Sequence, residues 1–157
     1  MIRTRSPRSS RNATWRSDSS PITGPSGTKV IESSCRVPSD PQYWYYVYAG
    51  RSGGSNYYNL VNYATLTCLD VEAGSYANGA QLTTSACCAQ CTSQWWRQQG
   101  TAPAGATQLR NLPSGKCIDM PLVPGSNNVW NGQPIGQWSC GSFRSGRGAN
   151  QFWILRR

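Results

Sequence analysis

The chain has 157 residues, which is long enough for one domain with a hydrophobic core. Charged residues make up only 13% of it, and Gly, Ser, Asn and Tyr are plentiful, a mixture that favours short strands joined by turns. No histidine is present, which argues against a Ser–His or Cys–His nucleophile and leaves no complete zinc site. No run of about 18 apolar residues occurs, so we expect no membrane insertion. No metal and no cofactor is expected.

The net charge of +9 is concentrated at the N-terminus. Five arginines and no acidic residue fall within residues 1–16. We therefore interpret residues 1–23 as a disordered, solvated basic tail. The remaining ten basic and six acidic residues are scattered along the chain, so no nucleic-acid partner is predicted. The tail has the charge of a signal peptide's start without the apolar segment that should follow.

Short clusters of aromatic and β-branched residues recur after the tail. They occupy residues 45–48, 60–63 and 152–155, and no stretch shows apolar residues at helical spacing. The sequence therefore predicts an all-β fold.

One unit is repeated three times within residues 24–157. A cysteine lies eight residues after the glycine of a Ser-Gly or Asn-Gly pair, an apolar residue lies five before that cysteine, and a Gln-x-Trp closes the unit. The matching residues are Gly27, Val30, Cys35, Gln42 and Trp44; Gly79, Leu82, Cys87, Gln94 and Trp96; and Gly132, Ile135, Cys140, Gln151 and Trp153. A single unit cannot bury its apolar face alone, so three units must close on each other in a pseudo-threefold barrel.

The opening half of the unit is less regular than its closing half. Cys-apolar-Asp-apolar occurs at residues 68–71 and 117–120. In the first unit only Asp18 matches, nine residues before Gly27, while Arg16 and Ser17 replace the cysteine and the apolar residue. We therefore predict units at about 24–45, 57–98 and 107–157, the first of them incomplete.

Seven cysteines in a chain of this size indicate disulfides and an oxidising compartment. Secretion is inferred from the cysteines alone. An odd cysteine is left over, which could form an intermolecular disulfide.

These motifs resemble those of the ricin-type β-trefoil lectins, also called ricin-type carbohydrate-binding modules. The third unit matches almost throughout, the second in part and the first only in its latter half. The resemblance implies a β-trefoil whose units each offer a shallow sugar pocket. It also implies pairing of the two cysteines within a unit, Cys68 with Cys87 and Cys117 with Cys140. Cys88 could pair with Cys91, or one of the two with Cys35.

Carried over to this sequence, the family's site falls on the third unit. Asp119 accepts hydrogen bonds from sugar hydroxyls, Trp138 stacks on the sugar ring and Asn150 adds a polar contact, supported by Gln151. Gln137 is a weaker candidate, since Gly136 stands where some members have a sugar-contacting glutamine. A carboxylate, a flat apolar face and an amide are what a pyranose requires.

The other two units lack parts of this set. The second keeps Asp70, but Ser85 and Ser93 replace the ring and the amide. The first has Ser33 and Pro41 at those positions. We expect both sites to be weak or silent, with Asp70 mainly structural.

The function predicted from the sequence is therefore non-catalytic binding of a galactoside or a xylan-like polysaccharide through one site. The module is either free-standing or the targeting part of a secreted glycoside hydrolase. The alternative is a trefoil interaction module, such as a toxin's cell-binding subunit, with little sugar affinity. Catalysis by the chain itself is disfavoured because few carboxylates are available as an acid–base pair.

Overall fold

The computed structural model describes residues 2–4, 13–17, 27–34, 42–100, 105–121, 132–142 and 149–155. Their regular elements are twelve β-strands and short 3₁₀ turns, in agreement with the predicted all-β class. Within these residues, no helix is long and apolar enough to cross a membrane.

The strands fall into three sets of four, one set per unit. The first comprises β1 (Ile2–Thr4), β2 (Ala13–Ser17), β3 (Thr28–Ser34) and β4 (Trp44–Ser52). The second comprises β5 (Ser55–Asn62), β6 (Cys68–Val71), β7 (Leu82–Ser85) and β8 (Trp96–Gln99). The third comprises β9 (Gln108–Asn111), β10 (Cys117–Asp119), β11 (Gly136–Trp138) and β12 (Trp153–Leu155).

All described pairings between these strands are antiparallel. The last strand of each unit pairs with the first strand of the next, as β4 with β5, β8 with β9 and β12 with β1. The two middle strands of each unit form a hairpin, β2–β3, β6–β7 and β10–β11. This is a β-trefoil, the architecture expected from the threefold repeat.

The core consists of the residues that repeat. All three closing tryptophans are buried, as are the three apolar residues that precede the second cysteine position. The core residues are Val30, Trp44, Leu60, Leu69, Val71, Leu82, Trp96, Leu109, Ile118, Met120, Ile135 and Trp153. Each unit thus contributes its apolar face to a single shared core.

The predicted N-terminal tail differs from the structure in two places. Ile2–Thr4 forms β1, which pairs with the C-terminal strand β12, and Ala13–Ser17 forms β2, which pairs with β3. The first unit therefore has an opening strand although it lacks the cysteine that marks one. Thr14 takes the cysteine position, and Trp15 takes the apolar position because it pairs with Glu32 as Leu69 pairs with Thr84. Without β1 the edge of β12 would be left unpaired, and ring closure removes such edges.

The pairing register of β2 and β3 also shows which residue of the first unit stands at the acidic position, and it is not the one found by counting residues. Arg16 pairs with Ile31, just as Asp70 pairs with Thr83 and Asp119 pairs with Gly136. Arg16 therefore takes that position. Asp18, which residue counting had aligned with Asp70, lies outside the described residues.

One glutamine links the three hairpins where they meet. Gln81 Nε2 lies 2.9 Å from the carbonyl oxygen of Leu82, 2.7 Å from that of Ile135 and 3.3 Å from that of Val30. These three carbonyls belong to equivalent residues of the three units. A single side-chain amide therefore serves all three, while Lys29 and Pro134 stand at its equivalent positions.

We expect Gln81→Glu to destabilise the fold by about 1–3 kcal/mol, because a carboxylate cannot donate to three carbonyl oxygens. Chemical unfolding at neutral pH measures the change. The matched control is Gln90→Glu, which makes the same substitution at an exposed side chain. Equal stability of both variants would contradict this role for Gln81.

Glu32 on β3 is a buried carboxyl at the position of Gln137 in the third unit. It is 6% exposed, and its Oε2 has no hydrogen-bond partner among the described residues. Burial raises the pKa of Glu32 from 4.5 to about 7. Between these two values the folded state binds more protons at Glu32 than the unfolded state does, so this group lowers stability as the pH rises from about 4.5 to about 7.

Glu32→Gln removes this effect and should stabilise the protein at pH 8 by on the order of 1–3 kcal/mol, while changing it little at pH 4. The free energy of unfolding at the two pH values tests this. Glu72→Gln, which makes the same substitution at an exposed side chain, serves as the control. A Glu32→Gln effect that does not vary with pH would rule out the titration.

Candidate functional site

A cleft of about 660 Å³ opens beside the β10–β11 hairpin of the third unit. Asp119, Trp138, Asn150 and Gln151 all line it. They come from the end of β10, the end of β11 and the short 3₁₀ turn Ala149–Gln151 that precedes β12. The structure thus brings together four residues that are up to 32 positions apart in the chain.

Asp119 is the buried anion of the cleft. It is 8% exposed, and its Oδ1 accepts hydrogen bonds from Asn150 Nδ2 at 2.9 Å and Gln151 Nε2 at 2.8 Å. No described residue donates to its Oδ2. Burial raises the pKa of Asp119 above its ordinary value, and the two amide donors counteract part of that rise. The site therefore holds a carboxylate with one oxygen available as an acceptor.

Gln151 orients Asp119 and joins it to the segment that carries the second cysteine. Its Nε2 also donates to the carbonyl of Ser139 at 3.1 Å, and its Oε1 accepts from the backbone N–H of Gly141 at 2.8 Å. Gln108 Nε2 donates to the same Oε1 at 3.1 Å. Both ends of this amide are occupied and the side chain is 2% exposed. Gln151 therefore positions the carboxylate and is not itself free to contact a ligand.

Asn150 has one polar atom left for a ligand. Its Nδ2 donates to Asp119 and to the carbonyl of Met120, the latter at 2.7 Å. An amide nitrogen carries two N–H groups, so both are used. The remaining carbonyl oxygen of Asn150 is an acceptor, like Oδ2 of Asp119. The polar side of the cleft is thus suited to a ligand that donates hydrogen bonds.

Trp138 supplies the apolar wall. The residue is 48% exposed, and its ring contacts Gly79 of the second unit, where a Cβ atom would stand 3.5 Å from Cζ3. The next residue, Ser139, is held by its N–H, which donates to Asn78 Oδ1 at 2.9 Å. The neighbouring unit therefore supports the ring from behind. The pattern within a unit cannot reveal this support, because it comes from a different repeat.

Gln137, the weaker candidate, is among the residues that line the cleft, but its amide is used within the protein. The side chain is fully buried, with Nε2 donating to the carbonyls of Ser75 and Ala77 and Oε1 accepting from Ser114 Oγ at 2.7 Å. Adjacent strand residues point to opposite faces, so Gln137 points away from Trp138. Its role is to join the third unit to the loop of the second.

Only glycine fits at position 136, because the backbone of the second unit passes close to it. A Cβ atom at Gly136 would lie 2.9 Å from the carbonyl oxygen of Ala80, closer than real Cβ atoms approach. Gln137 N–H donates to that same carbonyl at 2.9 Å. A larger residue at position 136 would therefore break the contact between the β6–β7 and β10–β11 hairpins.

The second unit has a closed version of the same arrangement. Asp70 Oδ1 accepts from the N–H of Val71, and its Oδ2 accepts from Ser85 Oγ at 2.5 Å and Gln94 Nε2 at 3.0 Å. Both carboxylate oxygens are therefore used within the protein. Ser85 occupies the place of Trp138, so the hydroxyl that replaces the ring also occupies the carboxylate. Asp70 is structural in this geometry.

Of the site positions of the first unit, only some lie among the described residues. Ser33 pairs with Thr14, as Ser85 pairs with Cys68 and Trp138 pairs with Cys117. Pro41, its counterpart to Asn150, lies outside the described residues, as does Cys35.

Three disulfides join cysteines among the described residues. They join Cys68 to Cys87, Cys117 to Cys140, and Cys88 to Cys91. The first two link the opening strand of a unit to the segment before its closing Gln-x-Trp, and the second of these lies next to the cleft. Each disulfide of this kind adds about 2–4 kcal/mol to the free energy of unfolding, chiefly by restricting the unfolded chain.

Known structures share this fold. A designed threefold-symmetric protein, ThreeFoil, is 25% identical with a TM-score of 0.72, the match covering 97% of this chain and 93% of that one. An exo-β-1,3-galactanase from Clostridium thermocellum is 23% identical with a TM-score of 0.68, over 97% of this chain but 28% of the galactanase. A ricin B-like lectin from Macrolepiota procera, solved in complex with lactose, is 15% identical with a TM-score of 0.64, over 100% and 95% of the two chains.

A search of curated protein sequences gives no match. A family model does match, over residues 40–138, and its description is ricin-type β-trefoil lectin domain-like. The match spans more than half of the chain and includes the second unit and the β10–β11 hairpin of the third. Together with the threefold closure of the strands, it shows that this chain belongs to the ricin-type β-trefoil lectin domain-like family.

Proposed function

We propose that the protein is a non-catalytic carbohydrate-binding module with one competent site, the cleft of the third unit. The observation that carries the proposal is the juxtaposition of a half-exposed Trp138 with two acceptor oxygens, those of Asp119 and Asn150, to which no described residue donates. A pyranose offers a C–H face for the ring and hydroxyl donors for the oxygens. Membership of a lectin family and the lactose complex of the Macrolepiota procera lectin support the same interpretation.

The ligand class that we propose is a galactoside, with a xylan-like polysaccharide as the second candidate. The lactose bound to the fungal lectin and the galactanase among the similar structures favour the galactoside. The three disulfides favour action in an oxidising, extracellular setting.

A single site has a consequence for affinity. Because the second unit uses both oxygens of Asp70 internally, we expect one sugar bound per chain and the weak affinity of a shallow pocket. Tighter capture of a polymer would then come from several copies bound along it.

Trp138→Ala should weaken binding of galactosides at least about tenfold, because the ring provides the apolar contact. Titration calorimetry with lactose and pull-down on insoluble galactan and xylan measure the loss. Tyr63→Ala is the matched control, since Tyr63 is 59% exposed and does not line the cleft. Unchanged affinity of Trp138→Ala would contradict the proposed site. If the wild-type protein bound no glycan at all, the alternative of an interaction module would be favoured.

Binding should also depend on pH through Asp119. Protonation removes the negative charge from its free acceptor oxygen, and burial raises its pKa, so affinity should fall on acidification at a higher pH than an ordinary aspartate would give. Asp119→Asn should bind weakly at every pH and lose this acid dependence. Lactose affinity measured from pH 4 to pH 8 tests the point, with Asp70→Asn as the control that keeps the wild-type profile.

A further inference from the structure

Two arginines face each other on the barrel wall beside the cleft. Arg97 on β8 pairs directly with Arg110 on β9. Directly opposed like charges destabilise a sheet. Both guanidinium groups also donate to one atom, Gln99 Oε1, from Arg97 Nη2 at 3.5 Å and Arg110 Nη1 at 3.3 Å. The two positive groups, called the arginine pair below, are thus held within about 7 Å of each other.

No negative charge offsets the arginine pair among the residues that the structure describes. The remaining contacts of the two groups are with Ser55 Oγ at 3.0 Å, the carbonyl of Gly115 at 2.8 Å and the ring of Tyr57, whose centroid lies 6.0 Å from Arg97 Cζ; none of these partners carries a negative charge. The Nε of Arg97 is buried without a hydrogen-bond partner. A guanidinium carries five N–H donors and matches planar or tetrahedral oxyanions in a bidentate manner. The arginine pair therefore has N–H donors that no described residue uses and a positive charge that no described residue neutralises.

The arginine pair lies in line with the proposed sugar site. Arg110 pairs with Cys117, and Cys117 pairs with Trp138, so Arg97, Arg110, Cys117 and Trp138 occupy one row across four neighbouring strands. Residues paired in this way share a face of the sheet. Three inter-strand steps separate Arg97 from Trp138, or about 14 Å.

A third positive charge lies between the pair and the cleft. Lys116 Nζ is 3.5 Å from Ser139 Oγ, and Ser139 lines the cleft. Positive charge therefore extends from the rim of the cleft to the arginine pair.

We propose that the arginine pair binds an oxyanion, a sulfate or a carboxylate, carried on the same polysaccharide chain whose neutral sugar occupies the Trp138 cleft. The part that concerns the neutral sugar rests on the proposed function. The specificity of the module is then for acidic glycans: the indole and Asp119 hold one sugar, and the arginines hold the charged substituent of another sugar further along the chain.

The test compares three polymers on the full chain: a sulfated galactan, the same galactan after desulfation, and polygalacturonate. The variant is Arg97→Gln/Arg110→Gln, and the matched control is Arg5→Gln/Arg8→Gln, which removes the same two charges from the N-terminus. Affinity is measured at low and high salt, since charge-based binding weakens with salt. Melting temperature is the folding check, and the Arg97→Gln/Arg110→Gln variant should melt at or above the wild-type temperature because it relieves an opposed like-charge pair.

We expect the Arg97→Gln/Arg110→Gln variant to lose about tenfold in affinity for at least one of the two acidic polymers and most of the salt dependence, with binding to the neutral galactan unchanged. The sulfated galactan and polygalacturonate arms show which oxyanion is preferred. An equal loss in the Arg5→Gln/Arg8→Gln control would overturn the proposal, because net charge alone would then explain the affinity. Arginine-dependent binding to a single-stranded oligonucleotide that exceeds binding to both acidic polymers would overturn it as well.

Trp138→Ala separates this inference from the proposed function. If neutral galactan binding depends on Trp138 and neither sulfate nor carboxylate increases the affinity, the proposed oxyanion site is overturned and the proposed sugar site stands. Arginine-dependent capture of an acidic polymer that is unaffected by Trp138→Ala would support the oxyanion site and remove the cleft as the sugar site.

Discussion

The structure depends on the glutamine and the tryptophan, two residues apart, that close a unit. All three tryptophans are buried, and those of the second and third units also donate a hydrogen bond, whereas Nε1 of Trp44 has no partner among the described residues. The indole of Trp96 fills the core and donates to the carbonyl of Leu69 at 3.1 Å, and Trp153 does the same to Ile118 at 3.4 Å. The side chain of the preceding glutamine ties the acidic residue of the unit to the segment around the second cysteine. Replacing a buried tryptophan of this kind by alanine lowers the free energy of unfolding by about 3–5 kcal/mol. The tryptophan therefore secures the fold, and the glutamine sets the position of the carboxylate.

The same scaffold produces an open site in one unit and a closed site in another. In both, a glutamine donates to an aspartate, but Ser85 fills the acceptor of Asp70, while Trp138 stands half-exposed beside Asp119. The two units differ at the position two residues before the second cysteine, Ser85 against Trp138, and at the position before the closing glutamine, Ser93 against Asn150. In the second unit the Val71 N–H, the Ser85 hydroxyl and the Gln94 amide together use both oxygens of Asp70. In the third unit both amide donors reach the same oxygen of Asp119, and the Trp138 ring adds an apolar wall.

Function at the third unit also draws on its neighbour. Gly79 lies against the Trp138 ring, Asn78 holds the backbone after it, and Gln137 binds two carbonyls of the same loop. Gln81 completes the arrangement by joining the three hairpins at their meeting point. A change in the loop of the second unit would therefore reach the sugar site without touching the residues that define it.

The sequence by itself determined the threefold repeat, the all-β class and the residues that fill the core, because apolar spacing and turn residues report directly what each segment buries. It also grouped Asp119, Trp138 and Asn150 in one unit. Only the tertiary structure decided that protein partners occupy the amide of Gln137, that Arg16 stands at the acidic position of the first unit and that the N-terminal residues close the barrel as strands. It alone brought Arg97, Arg110 and Lys116, which look scattered along the chain, to one surface. Register and the closure of the ring determine which distant residues meet, and neither leaves a signal in the local pattern.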